Sequence, residues 1–368
     1  MRVIMTGGGT GGHIYPAVAI ADEIKKRDKD AEILFVGAEI GMEGTLVPKC
    51  GYDIKLIPVE GFERGKILCN LDILQKYHRA NKMSKKILKD FKPDVVIGTG
   101  GYASAPVVKT AQKMGISTYI HEQNAFPGIS NKMQEKNAVK VFLGFEEGSK
   151  HFRHPEKHVV TGNPVRADFI EADRQKSRQA LGFKDSDFVL LAFGGSQGAG
   201  RINKAMIKVI EAFNGVEDIK ICLGTGRYYY DAIIRELEEK GIEPKDNIKI
   251  MEYIDDMPKL LSASDLVVSR SGALTVAEVT VCGVPAAFIP SPNVSGNHQF
   301  FNAKAVEEKG GAIIIEEKEL DNDKLVSTIL SMKNDPEALR EMSEKSTACA
   351  LPEAVKIIYD NVLATYNK

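Results

Sequence analysis

Of the chain's 368 residues only five are cysteine, Cys50, Cys69, Cys222, Cys282 and Cys349, and no two stand in a C-x-x-C pair or a disulfide-framework spacing. Stapled secreted scaffolds are thereby excluded, and free thiols in a reducing, cytosolic compartment are expected. An excess of one charge is lacking too. The formal net charge is -1, which rules out a whole-protein electrostatic footprint for nucleic acid and leaves room only for a local patch. No apolar run approaches the length needed to span a bilayer, and the first strand begins at Arg2 and reaches glycine at residue 7, so neither a membrane span nor a signal peptide is expected. Metal-ligand spacing is equally thin. Asp28-Lys29-Asp30 and Asp185-Ser186-Asp187 match D-x-D by letter, but both fall at helix-to-strand turns, where solvated carboxylates are the default. His151, His154 and His158 lie close together, yet Pro155 breaks any helical face they would share. No metal and no cofactor is expected.

What is present is a βα rhythm that runs through the chain and restarts half-way. The length favours two domains, each able to bury a core. Strand-like runs at Val3 to Met5, Ile33 to Val36, Val95 to Ile97, Ser117 to Ile120 and Val139 to Leu143 alternate with amphipathic stretches, the first a helix over Ile14 to Lys26, as a parallel sheet requires. Beyond Gly162-Asn163-Pro164-Val165-Arg166, read as the interdomain linker, Phe188 to Phe193 is again a strand, and it enters the glycine turn Gly194 to Gly200 and a helix near Ile202. The expected fold class is α/β with two Rossmann-like, doubly wound parallel-sheet domains. Pro352 to Lys368 reads as a final helix with Val355, Ile358, Val362 and Leu363 on one stripe, which does not say where the helix docks.

The candidate chemistry sits where strands run into glycine. Gly7-Gly8-Gly9-Thr10-Gly11-Gly12-His13 lets the backbone approach a ligand closely and opens a helix whose N–H groups favour oxygen-rich anions or sugar hydroxyls. The same letters match G-x-G-x-x-G, and a plain strand-to-helix turn needs similar glycines, so dinucleotide, phosphate and purely structural readings stay open at this point. Gly98-Thr99-Gly100-Gly101-Tyr102 repeats the device, and His121-Glu122-Gln123-Asn124 adds a carboxylate, an imidazole and amides at another strand end, where open α/β sheets bind ligands. Ordinary loop polarity with helix capping is the alternative there. In the second half Ser271, Gly272 and the amides from Ala273 through Leu274 and Thr275 to Val276 can hold a phosphate. Glu278, one turn into that helix after Ala277, can accept from a ribose diol. The loop Ser291 to Gln299 brings Asn297, His298 and Gln299 within reach of a sugar, or is merely solvated.

Gly-Gly-Thr-Gly-Gly-His, Gly-Thr-Gly-Gly-Tyr, His-Glu-Gln-Asn, Gly-Asn-Pro-Val-Arg, Gly-Gly-Ser-Gln-Gly-Ala and Ser-Arg-Ser-Gly-Ala-Leu-Thr-Val-Ala-Glu, in that order, span essentially the whole chain. Together they resemble the MurG family, the peptidoglycan N-acetylglucosaminyltransferases of glycosyltransferase family 28. The resemblance implies a GT-B fold, with two Rossmann-like domains facing across a cleft. Residues 1–162 with 352–368 would take the lipid acceptor and face the membrane, and residues 163–351 would bind the UDP-N-acetylglucosamine donor. It implies inverting transfer of N-acetylglucosamine from UDP-GlcNAc to the 4-hydroxyl of the muramoyl sugar of undecaprenyl-linked lipid I, giving lipid II at the cytoplasmic face of the cell membrane. Other cell-wall synthesis proteins become candidate partners; nucleic acid does not. Carried over by position, the donor contacts are Thr10, Gly11, Gly12, Asn124, Arg166, Ser196 at the diphosphate, Ile254 at the uracil edge, Ala273 to Glu278, and Gln299 at the sugar. Gly100, Gly101 and Tyr102 form the acceptor or phosphate loop. One departure is His298, where relatives can carry a second glutamine.

Inverting transfer needs a base for the attacking hydroxyl and an anion hole for the leaving diphosphate. His13, beside a helix N-terminus, is expected to stay neutral and act as the base, with Glu122 as its rival. Arg166, Ser196 and the helix amides before Glu278 would receive the diphosphate. A UDP-N-acetylglucosamine 2-epimerase would share fold and donor but not the lipid acceptor. A nicotinamide oxidoreductase would need an acid such as Glu39 at a ribose and leaves the second glycine domain unexplained. A non-catalytic nucleotide-sugar sensor would not need His13 and Glu122. Between Arg64 and Lys92 nine Lys or Arg stand against two Asp, interleaved with Ile67, Leu68, Leu71, Ile73, Leu74, Tyr77, Met83, Ile87 and Leu88. Such a segment can lie on an anionic membrane surface, although a core stripe with a solvated face explains the same pattern. Salt-sensitive cosedimentation with anionic vesicles is the expected result, and equal binding to neutral vesicles would refute the membrane reading.

Overall fold

Val3-Ile4-Met5 and Val189-Leu190-Leu191-Ala192 are apolar without alternation, so a sheet built on them must be covered on both faces. All seven residues are fully buried. In the computed structural model, which describes residues 1–60, 67–195, 197–320 and 323–366 and omits the side chains of 67–72, 295 and 365, these runs are central strands of two all-parallel sheets. The chain divides into two compact units, Met1–Val165 with Leu351–Lys368, and Arg166–Ala350.

The first unit holds β1 (Arg2–Gly7), β2 (Glu32–Ala38), β3 (Asp53–Ile57), β4 (Val95–Gly100), β5 (Ser117–Glu122), β6 (Lys140–Leu143) and β7 (His158–Val160), in the order β3-β2-β1-β4-β5-β6-β7. The second holds β8 (Phe188–Phe193), β9 (Ile219–Gly224), β10 (Ile248–Met251), β11 (Leu266–Ser269), β12 (Ala286–Phe288) and β13 (Ala312–Ile314), in the order β10-β9-β8-β11-β12-β13. Each order reverses direction once, between β1 and β4 and between β8 and β11. Such a switch point opens a crevice at the carboxyl ends of its two strands. The glycine turns after β1, β4 and β8 and the Ser271-Gly272 turn after β11 all lie at these ends.

Successive residues of a strand face opposite sides. Val3 and Met5 therefore join Ile14, Ile20 and Ile24 of the helix Gly11–Arg27, while Ile4 joins Val107 and Ala111 of the helix Gly101–Lys113 on the other side. The helix Ala354–Tyr366 docks on the first face through Ile358, Tyr359 and Val362. There Arg27 stacks its guanidinium 5.0 Å over the Tyr359 ring and reaches Asp360 at 3.3 Å. Val355 and Leu363 of the expected stripe are only half-buried, and Tyr359 supplies the contact they do not. Along the helix Ile67–Phe91, Ile73, Ala80 and Leu88 are buried, so the core stripe accounts for much of its apolar pattern; Leu74 and Met83 are exposed among Arg79, Lys82, Lys85 and Lys86. Arg64 and Lys66 lie outside the described residues. Among the described residues no helix is long and apolar enough to cross a membrane.

Because Ile358 is fully buried in the first unit's core, Ile358→Ala is expected to cost about 2–5 kcal/mol. Hydrogen-exchange protection in β1 and β4 should fall accordingly, and Val355→Ala should cost far less. Unchanged protection in Ile358→Ala would show that the last helix contributes nothing to that core.

Candidate active site

The first glycine turn is built around a carboxylate that its motif does not contain. Glu43, fully buried at the start of the helix Glu43–Lys49, accepts the Gly9 N–H on Oε2 at 2.9 Å and the Ala38 N–H on Oε1 at 2.9 Å. Its side chain fills the space where Gly8 and Gly41 would carry a Cβ. The Gly9 amide is thus committed to Glu43 rather than turned toward an anion. On the opposite side Gly101, at φ +75°, lies so close to the Gly8 carbonyl that a side chain there would collide with it, and its conformation favours glycine independently. Tyr102 packs its ring beneath Gly9 and donates its hydroxyl to the Ile40 carbonyl at 3.0 Å, forming a wall of the turn.

His13 stands in the first turn of the helix that follows, half-buried. Its Nδ1 lies 2.9 Å from the Thr99 carbonyl oxygen and 3.0 Å from Gln123 Oε1. Both partners accept, so in the neutral ring Nδ1 carries the proton and Nε2 the lone pair. Thr99 is held in turn, its hydroxyl donating to the His13 carbonyl at 2.7 Å.

Glu122 ends β5 and is 2% exposed. Its Oε1 accepts from the Asn124 amide at 3.0 Å and from Asn124 Nδ2 at 3.2 Å; its Oε2 accepts from the Gly128 amide at 3.0 Å and from Asn131 Nδ2 at 2.8 Å. A carboxylate so occupied braces a loop and has little left for a substrate proton. Asn124 directs its amide nitrogen to Glu122. His121, fully buried, sets Nε2 3.1 Å from the Gly162 carbonyl oxygen, and burial pushes its imidazole down to about 4.

In the second unit the turn from Gly194 closes at Gly198, at φ +76°, whose missing side chain lets it rest against the Thr225 carbonyl. Ser196 lies outside the described residues. No described side chain caps the helices Gly200–Phe213 or Ala273–Val281, nor Gly11–Arg27 or Gly101–Lys113 in the first unit. The helices starting at Arg174, Met257 and Pro336 are capped by Asp173, Asp256 and Asp335. Helix N-termini at a switch point suit an anion. Glu278 is pushed up to about 8, chiefly by desolvation; Arg166 opposes the rise and Asp168 adds to it. Arg166 is half-exposed, with Nη1 3.3 Å from Asp168 Oδ2. Ile254 is buried, its side chain lying across Gly224. Gln299 accepts the Ser291 N–H on Oε1 at 2.8 Å, and its carbonyl accepts the Ser271 hydroxyl at 2.8 Å, tying the Ser291 to Gln299 loop to the turn before Ala273. The D-x-D carboxylates have local work: Asp28 pairs with the chain's amino group at 3.1 Å and Asp187 accepts the Lys184 N–H at 2.8 Å.

Residues 3–143 match the glycosyltransferase family 28 N-terminal domain and residues 189–358 its C-terminal domain. The chain belongs to glycosyltransferase family 28. A relative from Leuconostoc citreum is 43% identical over 99% of this chain and 98% of its own, and one from Clostridioides difficile is 41% identical over 100% and 90%. Both are named UDP-N-acetylglucosamine--N-acetylmuramyl-(pentapeptide) pyrophosphoryl-undecaprenol N-acetylglucosamine transferase. The crystal structure of Acinetobacter baumannii MurG superposes with a TM-score of 0.78 at 27% identity, covering 99% of each chain. A UDP-GlcNAc 2-epimerase from Neisseria meningitidis reaches 0.70 at 14% identity, over 99% and 100%, a likeness of fold. The family 28 member is thus a glycosyltransferase of GT-B architecture, its two Rossmann-like domains carrying seven and six parallel strands.

His121 and Gln123 belong to a quoted motif but had no assigned part, and Glu43 had no sequence signal beyond its place after Gly41. Since the His121 pKa lies near 4 in the folded chain and near 6.5 when unfolded, the native state binds fewer protons between those values. Stability is full above about pH 6.5 and falls by about 3 kcal/mol as the pH drops to 4. Denaturant midpoints of the first unit measured against pH should show this slope, and His121→Asn should flatten it. An equal slope in that variant would refute the assignment.

Proposed function

We propose that this family 28 enzyme transfers N-acetylglucosamine from UDP-GlcNAc to the 4-hydroxyl of the muramoyl sugar on undecaprenyl-pyrophosphoryl-MurNAc-pentapeptide, with inversion, forming lipid II. The observation that carries the reading is the near full-length identity to transferases of that name. The acceptor oxygen attacks the anomeric carbon, its proton passes to His13 Nε2, and the bond to the β-phosphate oxygen breaks with its electron pair leaving on UDP. Leaving-group charge falls to Arg166, the Ser196 turn and the helix N-terminus from Ala273 to Val276, whose positive dipole end suits an anion.

The second unit is assigned the donor. Glu278 suits a ribose diol because two hydroxyl donors return part of the solvation that its carboxylate lacks. Ile254 offers its backbone to the uracil edge, and Gln299, with Oε1 held by Ser291, presents its amide nitrogen to the sugar. Thr10, Gly11 and Gly12 are donor contacts from the first unit, together with Asn124. Gly100, Gly101 and Tyr102 line the acceptor loop. The exposed basic face of the helix Ile67–Phe91 supports peripheral attachment to the anionic cytoplasmic leaflet, where the acceptor's lipid is anchored.

Incubation with labelled UDP-GlcNAc and a short-chain lipid acceptor, with a chelator present, should release UDP and yield a β-linked disaccharide. His13→Ala is expected to lower turnover about 100- to 10,000-fold. An epimer as the product, nucleotide-sugar binding without turnover, or loss of activity to the chelator would overturn the reading. Near wild-type turnover in His13→Ala would remove His13 as the base.

A further inference from the structure

Strand β5 ends in His121-Glu122-Gln123-Asn124, and Glu122 is occupied by the loop it braces. His121 and Gln123 are 0% and 1% exposed, deep enough that every polar atom needs a partner of the right kind. Their atoms are joined end to end. His121 Nε2 faces the Gly162 carbonyl oxygen at 3.1 Å, and a carbonyl only accepts, so Nε2 carries the proton. In the neutral ring His121 Nδ1 must then accept, and Gln123 Nε2 donates to it at 2.8 Å and to the His121 carbonyl at 3.2 Å. With its nitrogen turned that way, Gln123 points Oε1 at His13 Nδ1, 3.0 Å distant. The Thr99 carbonyl makes the same demand on His13 Nδ1 at 2.9 Å. Each role is fixed by the neighbour before it, beginning at a backbone carbonyl that has no alternative.

We propose that His121 and Gln123 are positioning residues that act through His13, locking its imidazole as the Nδ1–H tautomer so that the Nε2 lone pair takes the acceptor's proton. The proposal rests on the reading of His13 as general base. The direction of the Gln123 amide reinforces the demand that the Thr99 carbonyl makes on His13 Nδ1. Reversed, it would set its NH2 against His13 Nδ1 and favour the tautomer with Nε2 protonated, which cannot accept a proton. Titratable side chains on the elements around His13 include Tyr15 on its own helix, Tyr119 and Glu122 on β5, Glu43 after β2 and Tyr102 after β4. Glu122 and Glu43 accept loop N–H groups, and the Tyr102 hydroxyl is given to Ile40.

Histidine-selective 15N labelling tests the tautomer in the wild-type protein: two-bond proton–nitrogen correlations should show His13 protonated at Nδ1 and bare at Nε2, and the reverse tautomer overturns the proposal without any variant. In Gln123→Met, kcat is expected to fall roughly 10- to 100-fold, the scale of second-layer partners of functional histidines. KM for UDP-GlcNAc should stay within about twofold, since the interaction lost belongs to the transition state. Gln123→Glu keeps an acceptor toward His13 and adds negative charge that favours the imidazolium, so the acid limb of its pH–rate profile should move to higher pH. Wild-type kcat in Gln123→Met, or an unmoved limb in Gln123→Glu, overturns the relay. His13→Ala assayed alongside separates the two failures: if it is active the base reading falls, and if it is inactive while Gln123→Met is fully active only the relay falls.

Discussion

A loop leaving the carboxyl edge of a parallel sheet carries N–H groups that no ladder satisfies, and each left buried and unpaired costs about 1–3 kcal/mol. In the first unit two buried carboxylates meet that demand. Glu43 takes N–H groups from Ala38 and Gly9, and Glu122 takes those of Asn124 and Gly128 with two side-chain amides besides. The glycine turn and the β5 loop are thereby held in single conformations on either side of β4. Only because both are fixed can a side chain from one, His13, meet a side chain from the other, Gln123, at hydrogen-bond distance. The placement of the His13 imidazole is thus inherited from two buried carboxylates that hold its loops.

Two carboxylates, one in each unit, have opposite surroundings. Glu122 is surrounded by donors, whereas Glu278 lies where desolvation outweighs the pull of Arg166 and holds its proton up to about pH 8. Helix starts differ too: Asp173, Asp256 and Asp335 each cap the helix they open with a carboxylate oxygen.

The doubly wound architecture was legible because apolar runs entering glycine can only be buried parallel strands followed by tight turns. The motifs reached the correct sheet edges for the same reason. What could not be read were short or half-exposed strands such as Asp53–Ile57, which has charged residues at alternate positions and lies at the sheet's edge, and contacts between residues far apart in sequence. Glu43 reaches Gly9 across 34 positions and Gln123 reaches His13 across 110, separations at which no local pattern carries information. Glu122 reads as a candidate base because a carboxylate in a polar loop is one by residue type. Its occupancy by four donors is a property of the folded loop alone.

The docking of the helix Ala354–Tyr366 has a consequence for how the chain is made. Ile358 and Val362 complete a core whose other members, from Val3 to Phe142, leave the ribosome long before them, with all of Arg166–Ala350 synthesised in between. The second unit therefore has every residue it needs to fold while the first is still missing a wall, and the nascent chain must keep an apolar face of its opening unit unsealed until translation reaches the last helix.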